Sequence, residues 1–401
     1  MKKQMIFVFL LVVCIALSGC QMEQEKKVDE EPAVVSYSWM AGDSPVPARR
    51  VGVLRQGLIN TPYAVSSAGV YFMEKGGDSK GNFILYADHG SDTLIRLCGR
   101  ADCSHDTEDC NAYLFRGSAL SYYGGHLYGV SGSGSEEECK LVRMNPDGSD
   151  HVMILDLLEF AKEHDGDYVQ GTVVSDGMLL FDVYHWVESE DNDPNSISYD
   201  GTLLQSYLFR LDGSMKEPEA VNYSGMLLHD IPTGFLVWTP ESKNGTESGS
   251  YLDWNPDTNA AVYLCNHPGQ PGWFDDKQVY YHIDGAIQRL DFATGKVEVM
   301  ADTGLQGNYY LTAFPDCIVL TSRSEEAMDS DTVYIYNWAF EAVDTIELNY
   351  SNSGYSEELL IAETPKRLIF TDQYQGNPVY YIEKSELGTG DVQIHEFQYS
   401  Q

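Results

Sequence analysis

Basic residues are scarce in this sequence. It has 25 lysines and arginines against 61 aspartates and glutamates, which gives a formal net charge of −36. A chain with this charge repels the phosphate backbone of nucleic acids, so the composition argues against nucleic-acid binding. The same charge favours cationic or basic partners, and it also keeps a protein soluble on a crowded surface. Both consequences stay open at this point.

Motifs of several common enzyme classes are also absent. The sequence contains no His-Glu-x-x-His pair, no phosphate-binding loop and no sialidase-like Asp box. No loop has the alternating aspartates of a calcium-binding EF-hand. Carboxylates are abundant, however, so a general acid–base pair remains an alternative.

Long apolar runs are lacking except at the N-terminus, where one extends from Met5 to Leu17 behind Lys2 and Lys3. A basic head, a short apolar stretch and small residues at the end are typical of an export signal, and the run is short for a membrane-spanning helix. Leu17-Ser18-Gly19-Cys20 resembles the lipobox of bacterial lipoproteins. The resemblance implies cleavage before Cys20 and lipid on its thiol, so we expect a lipid-anchored, extracytoplasmic protein with the membrane as a partner.

The chain is predicted to have three parts. Residues 1–19 form the signal peptide, and residues 20–55 form the lipidated cysteine and a tether, because this stretch is charged, contains proline and lacks apolar periodicity. If Val34 to Met40 form a strand of the body, the folded part of the chain would start before residue 56. Residues 56–401 form that body. Removing the signal removes two lysines and no acid, which takes the net charge to −38.

Helical periodicity is almost missing from the body, apart from Ile154 to Glu163. Short apolar runs rich in Tyr, Val, Leu and Ile alternate with turn residues, which is the pattern of an all-β protein. One run that follows a turn occurs seven times, at Val70–Phe72, Leu127–Gly129, Leu179–Phe181, Leu236–Trp238, Val279–Tyr281, Ile318–Leu320 and Leu368–Phe370.

A second run follows each first run and ends in Asn, Asp or Glu before another turn. Its ends lie at Asp88, Asn145, Asp212, Asn255, Asp291, Asn337 and Glu383. Units of roughly 40–50 residues with four strands are propeller blades, so the sequence predicts a seven-bladed β-propeller of four-stranded antiparallel blades. A pair of β-sandwiches is the alternative fold. We expect a last strand at Val392 to Phe397 to lie beside the first blade, because the ring must close.

The lipobox, the blade pattern and a Cys-rich stretch after the first blade together resemble a family of propeller lipoproteins from Gram-positive gut bacteria. That family is similar to the propellers of low-density-lipoprotein-receptor-related proteins. The Cys-rich stretch runs from Leu97 to Ala112. The resemblance implies the fold and the lipid anchor, and it implies no activity.

Within this stretch lie four residues of metal-binding type: Cys98, Cys103, His105 and Cys110. Three thiolates and one imidazole complete a tetrahedral zinc shell, so a structural zinc is one interpretation. Export favours the alternative of disulfides among these cysteines and Cys139. Cys265 and Cys317 are expected on different blades, where they cannot pair. Free thiols are a third possibility, and no cofactor is certain.

Loops that join second to third strands are expected to share one face of the propeller. They are rich in acidic and aromatic residues, and the candidate ligand-binding residues are Trp186, Glu188, Glu190, Asp191, Asp193, Tyr199, Glu325, Glu326, Asp329 and Asp331. Such a face would bind a protein, a cationic ligand or a carbohydrate. The sequence therefore predicts a non-catalytic binding or interaction module without catalytic residues, and a carbohydrate-active enzyme (glycosidase or lyase) at the cell envelope is the alternative.

Overall fold

In a computed structural model the body of the chain is a ring of seven antiparallel four-stranded sheets. The described residues are 36–43, 63–74, 81–117, 119–132, 138–175, 177–188, 199–223, 226–231, 234–243, 246–266, 272–274, 277–306, 309–322, 331–348, 360–371 and 378–400. The predicted seven-bladed propeller is confirmed.

The first three blades follow one another along the chain. Blade one contains β1 (Tyr63–Val65), β2 (Gly69–Glu74), β3 (Asn82–Asp88) and β4 (Thr93–Arg96), and β5 (Tyr113–Leu114) also pairs with β3. Blade two contains β6 (Ala119–Tyr123), β7 (His126–Ser131), β8 (Lys140–Met144) and β9 (Val152–Asp156). Blade three contains β10 (Tyr168–Ser175), β11 (Met178–Glu188), β12 (Tyr199–Arg210) and β13 (Glu219–Ala220).

The remaining four blades repeat the same order. Blade four contains β14 (Met226–Ile231), β15 (Gly234–Lys243), β16 (Thr246–Asn255) and β17 (Ala260–Asn266). Blade five contains β18 (Trp273–Phe274), β19 (Gln278–Ile283), β20 (Ala286–Asp291) and β21 (Val297–Asp302). Blade six contains β22 (Tyr309–Ala313), β23 (Ile318–Ser322), β24 (Asp331–Tyr336) and β25 (Ala342–Leu348). Blade seven contains β26 (Leu360–Glu363), β27 (Arg367–Thr371), β28 (Pro378–Glu383) and β29 (His395–Glu396).

The second strand of each blade explains the recurring apolar run. In β11, Leu179 and Phe181 pack towards blade two, while Leu180 packs towards blade four. A strand buried on both faces is apolar at successive positions, so its apolar run is continuous. A strand with one exposed face instead alternates between apolar and polar residues. Buried apolar clusters lie at all seven junctions between neighbouring blades, and each buried side chain contributes about 1.5–3 kcal/mol.

The predicted helical stretch holds a short helix, α1 (Leu157–Glu163). It is shorter than predicted because residues up to Asp156 belong to β9, where Leu155 pairs with Leu141. The Asp156 carboxylate then accepts a hydrogen bond from the Glu159 amide, which is the usual N-cap arrangement. No helix among the described residues is long and apolar enough to cross a membrane.

The C-terminus joins blade seven to blade one. β30 (Gln398–Tyr399) pairs in parallel with β4, and the amide of Ser400 donates to the carbonyl of Leu94 at 2.9 Å. The predicted last strand was placed slightly too early, because residues 395–396 are still the fourth strand of blade seven. The ring thus closes through an added outer strand.

Residues 36–43, within the predicted tether, lie against blades six and seven. The Trp39 side chain is buried, and its indole N–H donates to the carbonyl of Lys384 at 2.8 Å. The Tyr37 hydroxyl donates to the carbonyl of Pro365 at 3.1 Å. Gly42 has φ +82°, and a Cβ there would meet the Trp338 backbone at 2.2 Å, so only glycine fits. We call residues 36–43 the N-terminal arm.

Beneath the N-terminal arm lies a buried charged triad that spans the same two blades. The fully buried Lys384 Nζ donates to Asp316 Oδ2 at 2.6 Å and to Glu363 Oε1. Burial lowers the pKa of Lys384, but Glu363 and Asp316 raise it further than burial lowers it. One ammonium cannot neutralise two carboxylates, and burial accordingly raises the pKa of Glu363 to about 7 although Lys384 opposes the shift.

Glu363 should therefore make stability depend on pH. The pKa of Glu363 is higher in the folded than in the unfolded protein. Its contribution to stability is therefore present at acidic pH, and it is lost as the pH rises from the ordinary pKa of glutamate through about 7. Glu363→Gln should remove this decline, which is of the order of 2–3 kcal/mol. The measurement is urea unfolding between pH 5 and pH 8. Equal slopes for the variant and the parent protein would contradict the prediction.

Candidate metal centre

The predicted cysteine–histidine stretch is an excursion from the outer edge of blade one. At its base, the amide of Leu97 donates to the carbonyl of Ile84 at 2.8 Å, and the amide of Ile84 donates to the carbonyl of Ala112 at 2.7 Å. Both ends of the loop are thus fixed to one residue of β3. The chain then pairs again with β3 through β5. We call residues 98–111 the Cys-His loop.

The Cys-His loop packs against the turn between β8 and β9 of blade two. A Cβ on Gly148, whose φ is +78°, would meet the Leu97 carbonyl oxygen at 2.2 Å. The His151 Nε2 atom lies 2.9 Å from the Asn111 carbonyl oxygen. Cys110 is also part of the apolar cluster that fills the junction of blades one and two. The loop therefore lies where two blades meet.

The four predicted ligands come together in this loop. One donor atom from each of Cys98, Cys103, His105 and Cys110 lies within 4.8 Å of all the others. The Nδ1 atom of His105 is 3.7 Å from the sulfur of Cys110. Tetrahedral zinc with ordinary zinc–sulfur and zinc–nitrogen bonds would place such a pair at about 3.6 Å, so the residues fit this metal.

The backbone around the cysteines is arranged to stabilise thiolates. The amide of His105 donates to Cys103 Sγ at 3.4 Å, and the amide of Ala112 donates to Cys110 Sγ at 3.4 Å. Cys103 and Cys110 thus each accept a hydrogen bond from the residue two positions later. Hydrogen bonds to a charged form favour that form.

The pKa values of two of the thiols diverge. Burial raises the pKa of Cys98, but hydrogen bonds from the amides of Arg100 and Asn111 and from the other two thiols lower it further, so its pKa lies below the usual range. Burial raises the pKa of Cys110 to about 12. A cation in the loop would favour the thiolate form of both residues, since metal binding to cysteine releases protons.

Arg96 holds the histidine ligand in place, and sequence analysis missed it. Its Nη1 donates to the carbonyl of His105, while its Nε donates to Glu74 Oε2 at 3.2 Å. The guanidinium also lies over the Phe83 ring, 4.4 Å from the centroid. His105 has φ +59°, a strained conformation for a residue with a side chain, and the Arg96 contact fixes the carbonyl of that residue.

The other described cysteines take no part in this site. All six described cysteines are free thiols. Cys139 is buried in the cluster between blades two and three, and burial raises its pKa to about 12. Cys265 lies in β17 of blade four, whereas Cys317 precedes β23 of blade six.

The predicted ligand-binding face lies largely outside the described residues. Trp186 lies near the tip of the long β11–β12 hairpin, where its indole stacks on Tyr168 at 4.1 Å and its amide donates to Asp167. Glu188 pairs with Tyr199 in that hairpin, and Asp331 begins β24. The predicted residues outside the description are Glu190, Asp191, Asp193, Glu325, Glu326 and Asp329.

One serine motif has the wrong structural context. Residues 77–81 read Gly-Asp-Ser-Lys-Gly, which matches the nucleophile elbow of α/β-hydrolases. That elbow lies between a strand and a helix, whereas the described elements before and after this motif are strands β2 and β3. The motif therefore gives no support for a serine nucleophile.

Several solved structures are similar in fold. The acylaminoacyl peptidase of Pyrococcus horikoshii is 11% identical over 86% of this chain and 52% of its own, with a TM-score of 0.47. A puromycin-hydrolyzing peptidase of Mycobacterium tuberculosis is 12% identical over 92% and 57%, with a TM-score of 0.44. The propeller domain of the Trilobed protease from Pyrococcus furiosus is 11% identical over 72% and 82%, with a TM-score of 0.42.

The chain spans about half the length of the first of these peptidases. Searches against protein families and against curated proteins found no match. The predicted non-catalytic binding module, with a carbohydrate-active enzyme as its alternative, receives no support from these comparisons, since the three propellers named above are parts of peptidases. At these identities the likeness concerns the β-propeller fold alone, so the candidate metal centre is the feature from which a function can be argued.

Proposed function

We propose that this chain is an extracytoplasmic lipoprotein whose β-propeller binds zinc through Cys98, Cys103, His105 and Cys110. The observation that carries the proposal is the convergence of four donor atoms, two of which accept amide hydrogen bonds at 3.4 Å. Sulfur donors select soft metals, and a tetrahedral set of three thiolates and one imidazole suits zinc best.

The zinc would have a structural role. Four protein ligands fill the tetrahedral shell and leave no position for a substrate or for water. The metal would hold the Cys-His loop in the shape that packs against the turn containing Gly148. Because the ligands are not preassembled in an unfolded chain, the binding free energy would stabilise the junction of blades one and two.

The lipid anchor rests on the sequence of residues 1–20. The basic head, the apolar run and Leu17-Ser18-Gly19-Cys20 support export followed by attachment of lipid to Cys20. The resemblance to propeller lipoproteins of Gram-positive gut bacteria supports the same conclusion. Two acyl chains suffice for stable anchoring, so the mature protein would remain on the membrane. Cys20→Ala should release it into the soluble fraction.

Metal analysis tests the zinc site. Full-length protein purified without chelators should contain one zinc ion per chain, because the site closes around a single ion. Cys110→Ser should lose the metal, whereas the matched variant Cys265→Ser, on blade four, should keep it. Thiol titration without reductant should find no disulfide within the Cys-His loop. Protein that lacks zinc and has paired Cys98, Cys103 or Cys110 would overturn the proposal.

Arg96 provides a test that leaves all four ligands intact. Arg96→Met removes the contact with the His105 carbonyl, so we expect zinc affinity to fall by about 10–100-fold, as for other residues that orient a metal ligand. Competition against a chromophoric chelator measures this. The matched control is Arg289→Met, which breaks a comparable Arg–Glu pair on blade five. Equal affinities for both variants would show that Arg96 does not position the histidine.

A further inference from the structure

Among the described residues, the contacts of the N-terminal arm lie at one end of the propeller. Its partners are Pro365, between β26 and β27, Lys384, between β28 and β29, and Asn337, between β24 and β25. In an antiparallel blade, the first–second and third–fourth connections lie at the same end of the sheet. We call this end of the propeller the arm end.

The second–third connections lie at the opposite end. Among the described second strands, β11 of blade three is the longest, with 11 residues from Met178 to Glu188. At about 3.3 Å per residue, Glu188 lies roughly 36 Å from the arm end.

Few residues separate the arm from the predicted lipid. Only residues 21–36 lie between Cys20 and Tyr37. An unstructured chain of 16 residues would have a root-mean-square span of about 22 Å, which is shorter than β11.

We infer that the propeller stands on the membrane with its arm end towards the bilayer and its long hairpins directed away. This inference rests on the lipid anchor at Cys20 described under the proposed function. It makes the turns of blades six and seven the surface that faces lipid, and it presents the second–third connections to the surroundings.

Two positions at the ends of one strand test the orientation. Lys277 and Asp284 are both exposed and flank β19, with Lys277 at the arm end. A fluorescent amino acid is placed at each position in the full-length lipoprotein, which is bound to vesicles of phosphatidylcholine and phosphatidylglycerol that contain an acceptor lipid. The donor at position 277 should lose more fluorescence to the acceptor than the donor at position 284.

Two further variants separate the possible failures. With Cys20→Ala, both donors should keep their fluorescence, because the protein leaves the vesicles. With Trp39→Ala, which frees the arm, the difference between the two positions should shrink. Equal or greater transfer from position 284 on vesicle-bound protein would overturn the orientation and leave the anchor standing. Protein with intact Cys20 that does not bind vesicles would overturn the anchor and the orientation together.

Discussion

Replacing Lys384 with methionine is expected to lower the free energy of unfolding by about 3–5 kcal/mol. The variant leaves the buried Glu363 and the partly buried Asp316 without their ammonium partner, and Lys384 itself is fully buried. Glu363 can take up a proton, so the loss should be larger at pH 8 than at pH 5. Urea unfolding monitored by tryptophan fluorescence measures both values.

The control for this variant is Lys366→Met, which removes an exposed lysine from the turn between β26 and β27. It should change stability by less than about 0.5 kcal/mol, as surface substitutions usually do. A loss below about 1 kcal/mol for Lys384→Met would show that the triad contributes little to the junction of blades six and seven.

Trp39→Ala is expected to have the second large effect, lowering the free energy of unfolding by about 3–5 kcal/mol. The substitution removes a buried indole that packs with residues of blades six and seven, and it deletes the hydrogen bond to the Lys384 carbonyl. Limited proteolysis should then cleave near the arm at lower protease concentration. Equilibrium unfolding in urea gives the magnitude.

Two matched variants separate the contribution of the hydrogen bond from that of packing. Trp39→Phe keeps an aromatic ring but loses the indole N–H, so it should cost about 1 kcal/mol for the hydrogen bond together with a partial loss of packing. Ser38→Ala changes an exposed neighbour and should be neutral. If Trp39→Ala were as stable as Ser38→Ala, the arm would not be part of the folded body.

The blades could be predicted from the sequence because their second strands are buried on both faces. Leu368, Ile369 and Phe370, for example, are apolar at successive positions because neighbouring blades cover both sides of β27. The turn residue after each third strand supplied a second, independent marker. Two markers in constant order were enough to count the blades.

The four candidate ligands could also be named from the sequence, since three cysteines and a histidine within a short stretch suit a zinc shell or disulfides. Their convergence in space could not be predicted from the sequence. It depends on Ile84 closing the base of the loop and on the contact of Arg96 with the His105 carbonyl. Neither residue differs in type from many others along the strands.

The N-terminal arm and the buried triad could not be predicted for a similar reason. Trp39 lies in a charged, proline-containing segment, and its hydrogen-bond partner is 345 residues away in the chain. Lysine and glutamate usually indicate exposed positions, so the burial of Lys384 and Glu363 contradicts their ordinary tendency. Long-range pairing of this kind leaves no local pattern.

X-ray absorption at the zinc edge tests the central claim most directly. Full-length protein purified without chelators should show three sulfur neighbours at about 2.3 Å and one nitrogen neighbour at about 2.0–2.1 Å. This shell matches Cys98, Cys103, Cys110 and the Nδ1 atom of His105. A zinc shell made of oxygen, or protein without zinc whose Cys-His loop contains a disulfide, would contradict the account.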